Sequence, residues 1–158
     1  MRRKLHGNWR NALSRAEDEN TVIRVSWRMQ DVEPFIAQYV RDRKARKYSG
    51  PSANFVRILA ENFGRDVVLI RALDHGEVIA ASLFLRHGTS STYYLSGTTE
   101  LGREKNAAHL ILWNGVTRLR QAGIRWLDLG GMDARAPGLA RFKLGLGANA
   151  VTYSGTWF

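Results

Sequence analysis

"VVLIRALDHGEVIAASLFLRHGTSSTYYLSG", residues 67–97, holds three apolar, strand-length runs separated by "DHGE" and "HGTSS". The runs are rich in Val, Ile, Leu and Tyr, and each break carries a glycine where a tight turn needs one. The stretch therefore reads as an antiparallel meander. Upstream, Leu5, Trp9, Leu13 and Ala16 recur at the spacing of one helix face over 3–17, and "TVIRVSW" (21–27) alternates as a strand. Asp31 is expected to cap a helix running from Val32 through Phe35, Ile36 and Tyr39 towards Arg46. Pro51 is expected to open another that carries Phe55, Ile58, Leu59 and Phe63. Downstream, a long helix is expected over 105–121, with Ala108, Ile111, Leu112, Gly115, Val116 and Leu119 on one side and Gly123 as its C-terminal cap. "IRWLDL" (124–129) then reads as a buried strand ended by Gly130 and Gly131. A short helix over 139–144 and a closing strand in "AVTYSGTWF" (150–158) complete the chain. Trp9, Trp27, Trp113, Trp126 and Trp157 are assigned to the core or its edge. The order implies an α/β domain with a mixed, mostly antiparallel central sheet flanked by helices.

The chain has 158 residues, of which 44% are hydrophobic, enough for one core and a single domain over 1–158. It contains no cysteine, which excludes disulfides, thiolate metal sites and cysteine nucleophiles. His6, His75, His87 and His109 lie too far apart to suggest a metal site, so no metal is expected. Chemistry is left to hydroxyls, amines, carboxylates and backbone dipoles. A net charge of +10 and a pI near 10.7 favour polyanionic partners. No run approaches ~18 consecutive apolar residues, and the basic first residues lack a signal-peptide core. The expectation is a cytoplasmic chain without a transmembrane segment.

Only 5 lysines stand against 19 arginines, and one of them, Lys143, follows Phe142 just ahead of a glycine-spaced turn. A compact ammonium there suits an oxyanion developing on a carbonyl; the other reading is an exposed lysine beside a core phenylalanine. Arg41, Arg43, Lys44, Arg46 and Lys47 form the densest positive run and suit phosphate oxygens, or a solvated face. Arg2, Arg3, Lys4, Arg10 and Arg15 add to the field. Asn106, Ala107 and His109 open the long helix, whose first N–H groups and dipole favour a donor phosphate or acyl group. His109 reads as a proton shuttle or as a packed side chain. Asp128 reads as a base or orienting group, or as a cap for the next turn. Tyr94, at the end of the central strand and expected to face the long helix, reads as an acyl-pocket wall or as core.

This order of elements is read with "NWRNALSRAE" (8–17), "GEVIAASLFLRHGTSSTYYLSGT" (76–98), "NAAHLILWNGVTRLRQAG" (106–123), "IRWLDLGG" (124–131) and "GLARFKLGLGA" (138–148). Together they resemble the acyltransferase domain of the Fem family, the aminoacyl-tRNA-dependent transferases of peptidoglycan bridge formation within the wider GNAT superfamily. The resemblance implies a GNAT-like fold, charged tRNA as donor and an amine such as a muropeptide or peptide as acceptor, joined by an amide bond. It assigns Lys143 to the tetrahedral intermediate and Phe142 to the donor channel or the terminal adenosine, with Asp128 and His109 completing the catalytic candidates. Asn106, Ala107, Tyr94, Gly130 and Gly131 are the donor-binding candidates. Arg43, Arg46, Lys47 and Arg10 are those for phosphate or RNA, Arg46 matching the family's phosphate contact best.

The chain departs from the family in two ways. Fem proteins usually carry two such domains in tandem, so a homodimer or a second-domain partner enters as an expectation. Coenzyme A-dependent GNAT enzymes read Q/R-x-x-G-x-G/A ahead of the long helix, where backbone amides grip the pyrophosphate. Here "TTELGREKNAAH" (98–109) offers Gly102 alone. No bound cofactor is expected beyond aminoacyl-tRNA as co-substrate. The alternatives are an acyl-CoA donor despite the missing loop, or a non-catalytic basic module that binds RNA or completes a partner.

Overall fold

Turn chemistry builds the sheet. Gly76 and Gly88 adopt positive φ of 87° and 61° in the two meander turns, conformations that a residue with a Cβ reaches only under strain. A computed structural model describes residues 1–132 and 136–152. Among these, β1 (Val22–Ser26), β2 (Val67–Asp74), β3 (Glu77–His87), β4 (Ser90–Thr98) and β5 (Trp126–Asp128) form one sheet in sequence order. Each of the first four strands is antiparallel to the next, and β5 lies parallel to β4. The expected mixed sheet is thus present.

Helices cover both faces. On one side α1 (Gly7–Asp18) and α5 (Ala107–Gln121) pack over Ile70, Ala72, Ala80, Phe84 and Tyr93. On the other, α2 (Met29–Arg46) and α3 (Ala53–Phe63) cover Val67, Leu69, Ala81, Leu83 and Leu85. Burial of each such large side chain contributes about 1.5–3 kcal/mol. Phe84 is fully buried, and its ring lies where a Cβ on Gly115 would be, 2.3 Å from Cζ. That glycine costs α5 about 1 kcal/mol of helix propensity and lets the helix approach the sheet. The short helices α4 (Glu100–Glu104) and α6 (Pro137–Gly145) complete the described elements, with 3-10 turns at Arg2–Lys4 and Gly64–Asp66.

Several local expectations are corrected. Asp31 is not a cap. Helix α2 starts at Met29, and the Asp31 carboxylate is taken by the Ser26 hydroxyl at 2.6 Å and by Arg71 at 2.8 Å. Helix α3 is capped by Ser52, which accepts a hydrogen bond from the Phe55 N–H, so Pro51 lies outside it. Its buried face is Val56 and Ala60, while Phe55 and Ile58 are about half exposed. The long helix begins at Ala107, after a separate α4, and buries Ala107 and Leu110 ahead of Ala108. Strand β5 is an edge rather than a buried strand, with Trp126 72% exposed. Trp27 is also exposed. The expected closing strand and Trp157 fall mostly or wholly within 153–158, outside the described residues, and 151–152 carry no strand.

Two features of β4 prepare the site. Only Ser90, Ser91 and Thr92 pair with β5, so the two parallel strands part beyond Thr92. Across β3, Leu83 pairs with Leu95 and Phe84 with Tyr93, which leaves Tyr94 as the extra residue of a β-bulge.

Candidate active site

Lys143 occupies the region where β4 and β5 separate. Helix α6 starts with Pro137, whose fixed φ suits the first helical position, and carries Lys143 in its last turn. The residue is only 7% exposed, and its Nζ donates a 2.7 Å hydrogen bond to the Gly131 carbonyl. The turn after β5 is shaped to seat it. Gly130 has φ of 75°, its N–H bonds the Asp128 carboxylate at 2.7 Å, and a Cβ there would stand 3.7 Å from Nζ and 4.0 Å from the Tyr93 carbonyl. Asp128 therefore closes the turn, and its charge acts on Lys143 from nearby. Burial pushes the Lys143 pKa below the usual lysine range, with Asp128 partly opposing the shift.

Phe142 faces an aromatic cluster on the α1 side. Its carbonyl accepts a 3.0 Å hydrogen bond from the Trp9 indole. The His109 ring packs edge-on against Trp9 and Phe142, with centroids 4.9 and 5.0 Å away. Burial lowers the His109 pKa, against a weaker opposing effect of the Asn106 carbonyl, and its Nδ1 has no hydrogen-bond partner among the described residues. These rings border a cavity of about 790 Å³ that also touches His6, Arg141 and Gly145.

The connection from β4 to α5 is closed upon itself. Thr99 caps α4 by accepting from the Gly102 N–H, and the amides of Arg103, Lys105 and Asn106 bond to carbonyls of the same segment. Gly102 is a packing residue, since a Cβ there would lie 2.1 Å from the Ile79 carbonyl oxygen. Asn106 takes a left-handed conformation at the start of α5, and its carbonyl accepts the His109 N–H. Ala107 is buried in the core. Lys105 binds Asp74 at 3.0 Å and Glu19 at 3.1 Å, which raises its pKa.

The remaining candidates lie elsewhere. Tyr94 packs with α2 and α3, and it is Tyr93 that faces α5, because the bulge adds a residue to β4 at this point. Arg43 bonds the Gly50 and Pro51 carbonyls and lies over the Tyr39 ring, whereas Arg46 ends α2 exposed and Lys47 follows it with φ of 52°. Arg10 is exposed on α1. The sequence reading missed Lys105 as a clasp and Trp9 as the anchor of the Phe142 carbonyl. Neither had a local signal, since their partners are far away in the chain.

The Acetyltransferase (GNAT) domain family matches residues 2–149, and the chain belongs to this acyltransferase family. Among solved structures, FemX aligns with a TM-score of 0.80 at 13% identity, over 92% of this chain and 55% of its own. The chain thus spans about half the length of FemX. An aminoglycoside acetyltransferase from an uncultured soil metagenomic sample, solved with sisomicin, aligns with a TM-score of 0.64 at 10% identity, over 89% and 96%. A transcriptional regulator from Bacillus halodurans C-125 gives a TM-score of 0.62 at 22% identity, over 88% and 99%. These likenesses establish the fold. No curated protein matches the chain in sequence. Among the described residues, no helix is long and apolar enough to cross a membrane, and no group of three His, Asp or Glu side chains could hold a metal.

Proposed function

We propose that this acyltransferase takes an aminoacyl group from aminoacyl-tRNA and passes it to an amine. The observation that carries the reading is the β4–α5 connection. Gly102, Arg103, Lys105 and Asn106 spend their amides within the segment, and the Lys105 ammonium is bound by Asp74 and Glu19. Those four amides are therefore unavailable to a pyrophosphate. The Fem-type resemblance and the positive charge of the chain support a tRNA donor, and a muropeptide or peptide amine is the acceptor class that the same resemblance implies.

Chemically, the acceptor amine attacks the ester carbonyl carbon, and the tetrahedral oxyanion collapses with rupture of the C–O bond to the terminal ribose. The amine proton leaves with the ribose oxygen. Lys143 supplies a positive charge to the oxyanion. No enzyme nucleophile is required.

Incubation with a mixture of charged tRNAs and, separately, with acetyl-CoA tests the donor. Deacylation of tRNA that depends on an added amine is expected, with weak or no binding of acetyl-CoA by calorimetry. A stoichiometric coenzyme A complex that supports turnover would overturn the tRNA reading. The acetyltransferase neighbours make that the rival donor.

A further inference from the structure

Helix α6, which carries Lys143, has little of its own to hold it in place. It is 9 residues long, and the residues that it buries are Lys143 and Gly145. Phe142, partly buried, is its contribution to the apolar core. A helix shorter than ~12–15 residues is marginal in water unless an apolar face packs it down. Its position must come from the segments around it.

The fastening comes from the other end of the sequence. A helix leaves its last four carbonyls without partners inside the helix. In α6, those of Lys143 and Leu144 accept from the Leu146 and Gly147 N–H groups at 3.3 and 2.9 Å. The remaining two go to the N-terminal segment: the Phe142 carbonyl accepts the Trp9 indole N–H at 3.0 Å, and the Gly145 carbonyl accepts the His6 N–H at 2.9 Å. Trp9 is itself fixed, being 3% exposed and packed against His109 and Trp113 with ring centroids 4.9 and 6.4 Å away. The approach is close as well as bonded. A Cβ on Gly145 would stand 2.8 Å from Trp9 Cδ1, and one on Gly147 would stand 2.8 Å from the Lys4 carbonyl oxygen.

Lys143 sits between the two fastened carbonyls, one residue after Phe142 and two before Gly145. Its ammonium reaches the turn after β5, where it donates to Gly131 at 2.7 Å beside Gly130, with Asp128 as the charged group acting on it. A lysine stem is flexible, so the ammonium keeps one setting only while the backbone that carries it is held. A shift of α6 would move the charge or admit water to it.

We propose that Trp9 is a positioning residue for acyl transfer: by holding the Phe142 carbonyl it fixes α6, and so sets where the Lys143 ammonium meets the reacting carbonyl. The inference rests on the reading of Lys143 as the charge offered to the oxyanion. Trp9 acts through α6 and not on the substrate.

Lysine labelled with carbon-13 at Cε gives one signal for each of the 5 lysines, and the signal missing from Lys143→Met is that of Lys143. Titration without any substrate then reads the setting of the ammonium. Trp9→Phe keeps a ring and removes the N–H donor. Its Lys143 midpoint is expected to rise towards the ordinary lysine value, as water reaches the ammonium once α6 shifts. Gly145→Ala, whose methyl group pushes against Trp9 from the α6 side, is expected to raise it too. Leu13→Val trims the buried face of the same helix one turn further on; it should lower the melting temperature and leave the Lys143 midpoint in place. With a mixture of charged tRNAs and a lysine-containing peptide as acceptor, Trp9→Phe is expected to lower kcat by about 10–10² while the KM for tRNA holds. Circular dichroism confirms that each variant is folded. A wild-type Lys143 midpoint in both Trp9→Phe and Gly145→Ala, or an equal rise in Leu13→Val, would overturn the proposal. Because the titration uses no donor, a wild type that transfers nothing from tRNA counts against the donor reading alone.

Discussion

The Lys143 ammonium donates to the Gly131 carbonyl at 2.7 Å, from a side chain almost wholly removed from solvent. A desolvated cation held by a backbone carbonyl is poorly compensated, so it is poised to gain energy from a negative charge nearby. Replacing it with methionine keeps the aliphatic stem. Lys143→Met is expected to lower turnover with charged tRNA by about 10²–10³, on the order of 2.7–4 kcal/mol, with donor affinity little changed. Lys143→Arg should rescue poorly, because a planar fork does not fit a seat bounded by Gly130 and Gly131. Single-turnover rates and filter binding separate the two effects, and full turnover in Lys143→Met would remove the ammonium from the mechanism.

The same burial sets a pH dependence. The folded pKa of Lys143 lies below the usual lysine value, so the alkaline loss of transfer should begin below the ordinary lysine range and be absent from the residual activity of Lys143→Met. Stability moves the other way. Between the lowered folded value and the ordinary unfolded one, the unfolded chain binds more protons, so this group makes the protein more stable as pH rises through that window. Denaturant midpoints of wild type and Lys143→Met across the alkaline range check the sign: the wild type should gain on the variant.

Arg43 and Arg46, neighbours in the basic run, should behave differently. Arg43 ties the end of α2 to Gly50 and Pro51 and rests on Tyr39, so Arg43→Ala should cost about 1 kcal/mol and lower the melting temperature by about 2–4 °C. Arg46→Ala should leave the melting temperature unchanged and flatten the salt dependence of tRNA binding. Thermal scans and binding at two salt concentrations distinguish a structural arginine from a phosphate contact.

Gly102→Ala tests whether that glycine is a packing residue. A methyl group 2.1 Å from the Ile79 oxygen forces α4 off the sheet. The expected cost is about 1–3 kcal/mol, seen as a drop of about 3–10 °C in melting temperature. An unchanged melting temperature would show that the segment adjusts freely.

The meander was legible because Gly76 and Gly88 mark its turns and the runs between them have strand length. The face of α3 was not: Phe55 and Ile58 form one apolar stripe and Val56 and Ala60 another, and only the position of the sheet chooses between them. Tyr94 was turned to the wrong side because strand alternation holds only until a bulge adds a residue, and no pattern around Tyr93 and Tyr94 announces one. At the site, the Phe142–Lys143 pair stood out in the sequence, but its setting did not. The Gly131 carbonyl, the Trp9 indole and the Asp74–Lys105–Glu19 clasp arise from contacts between distant segments.

The β4–β5 seam has only three residue pairs, whereas β2 and β3 are paired along almost their whole length. If the two strands are pulled apart, they should part first at this short run of rungs. Prising β5 away from Thr92 sacrifices few hydrogen bonds and leaves the meander intact, so the width of the reaction channel is the cheapest dimension of the molecule to alter. In deuterium exchange, the amides of Trp126–Asp128 should lose protection well before those of Leu69 or Leu83, and a bound substrate that bridges both strands should slow them selectively.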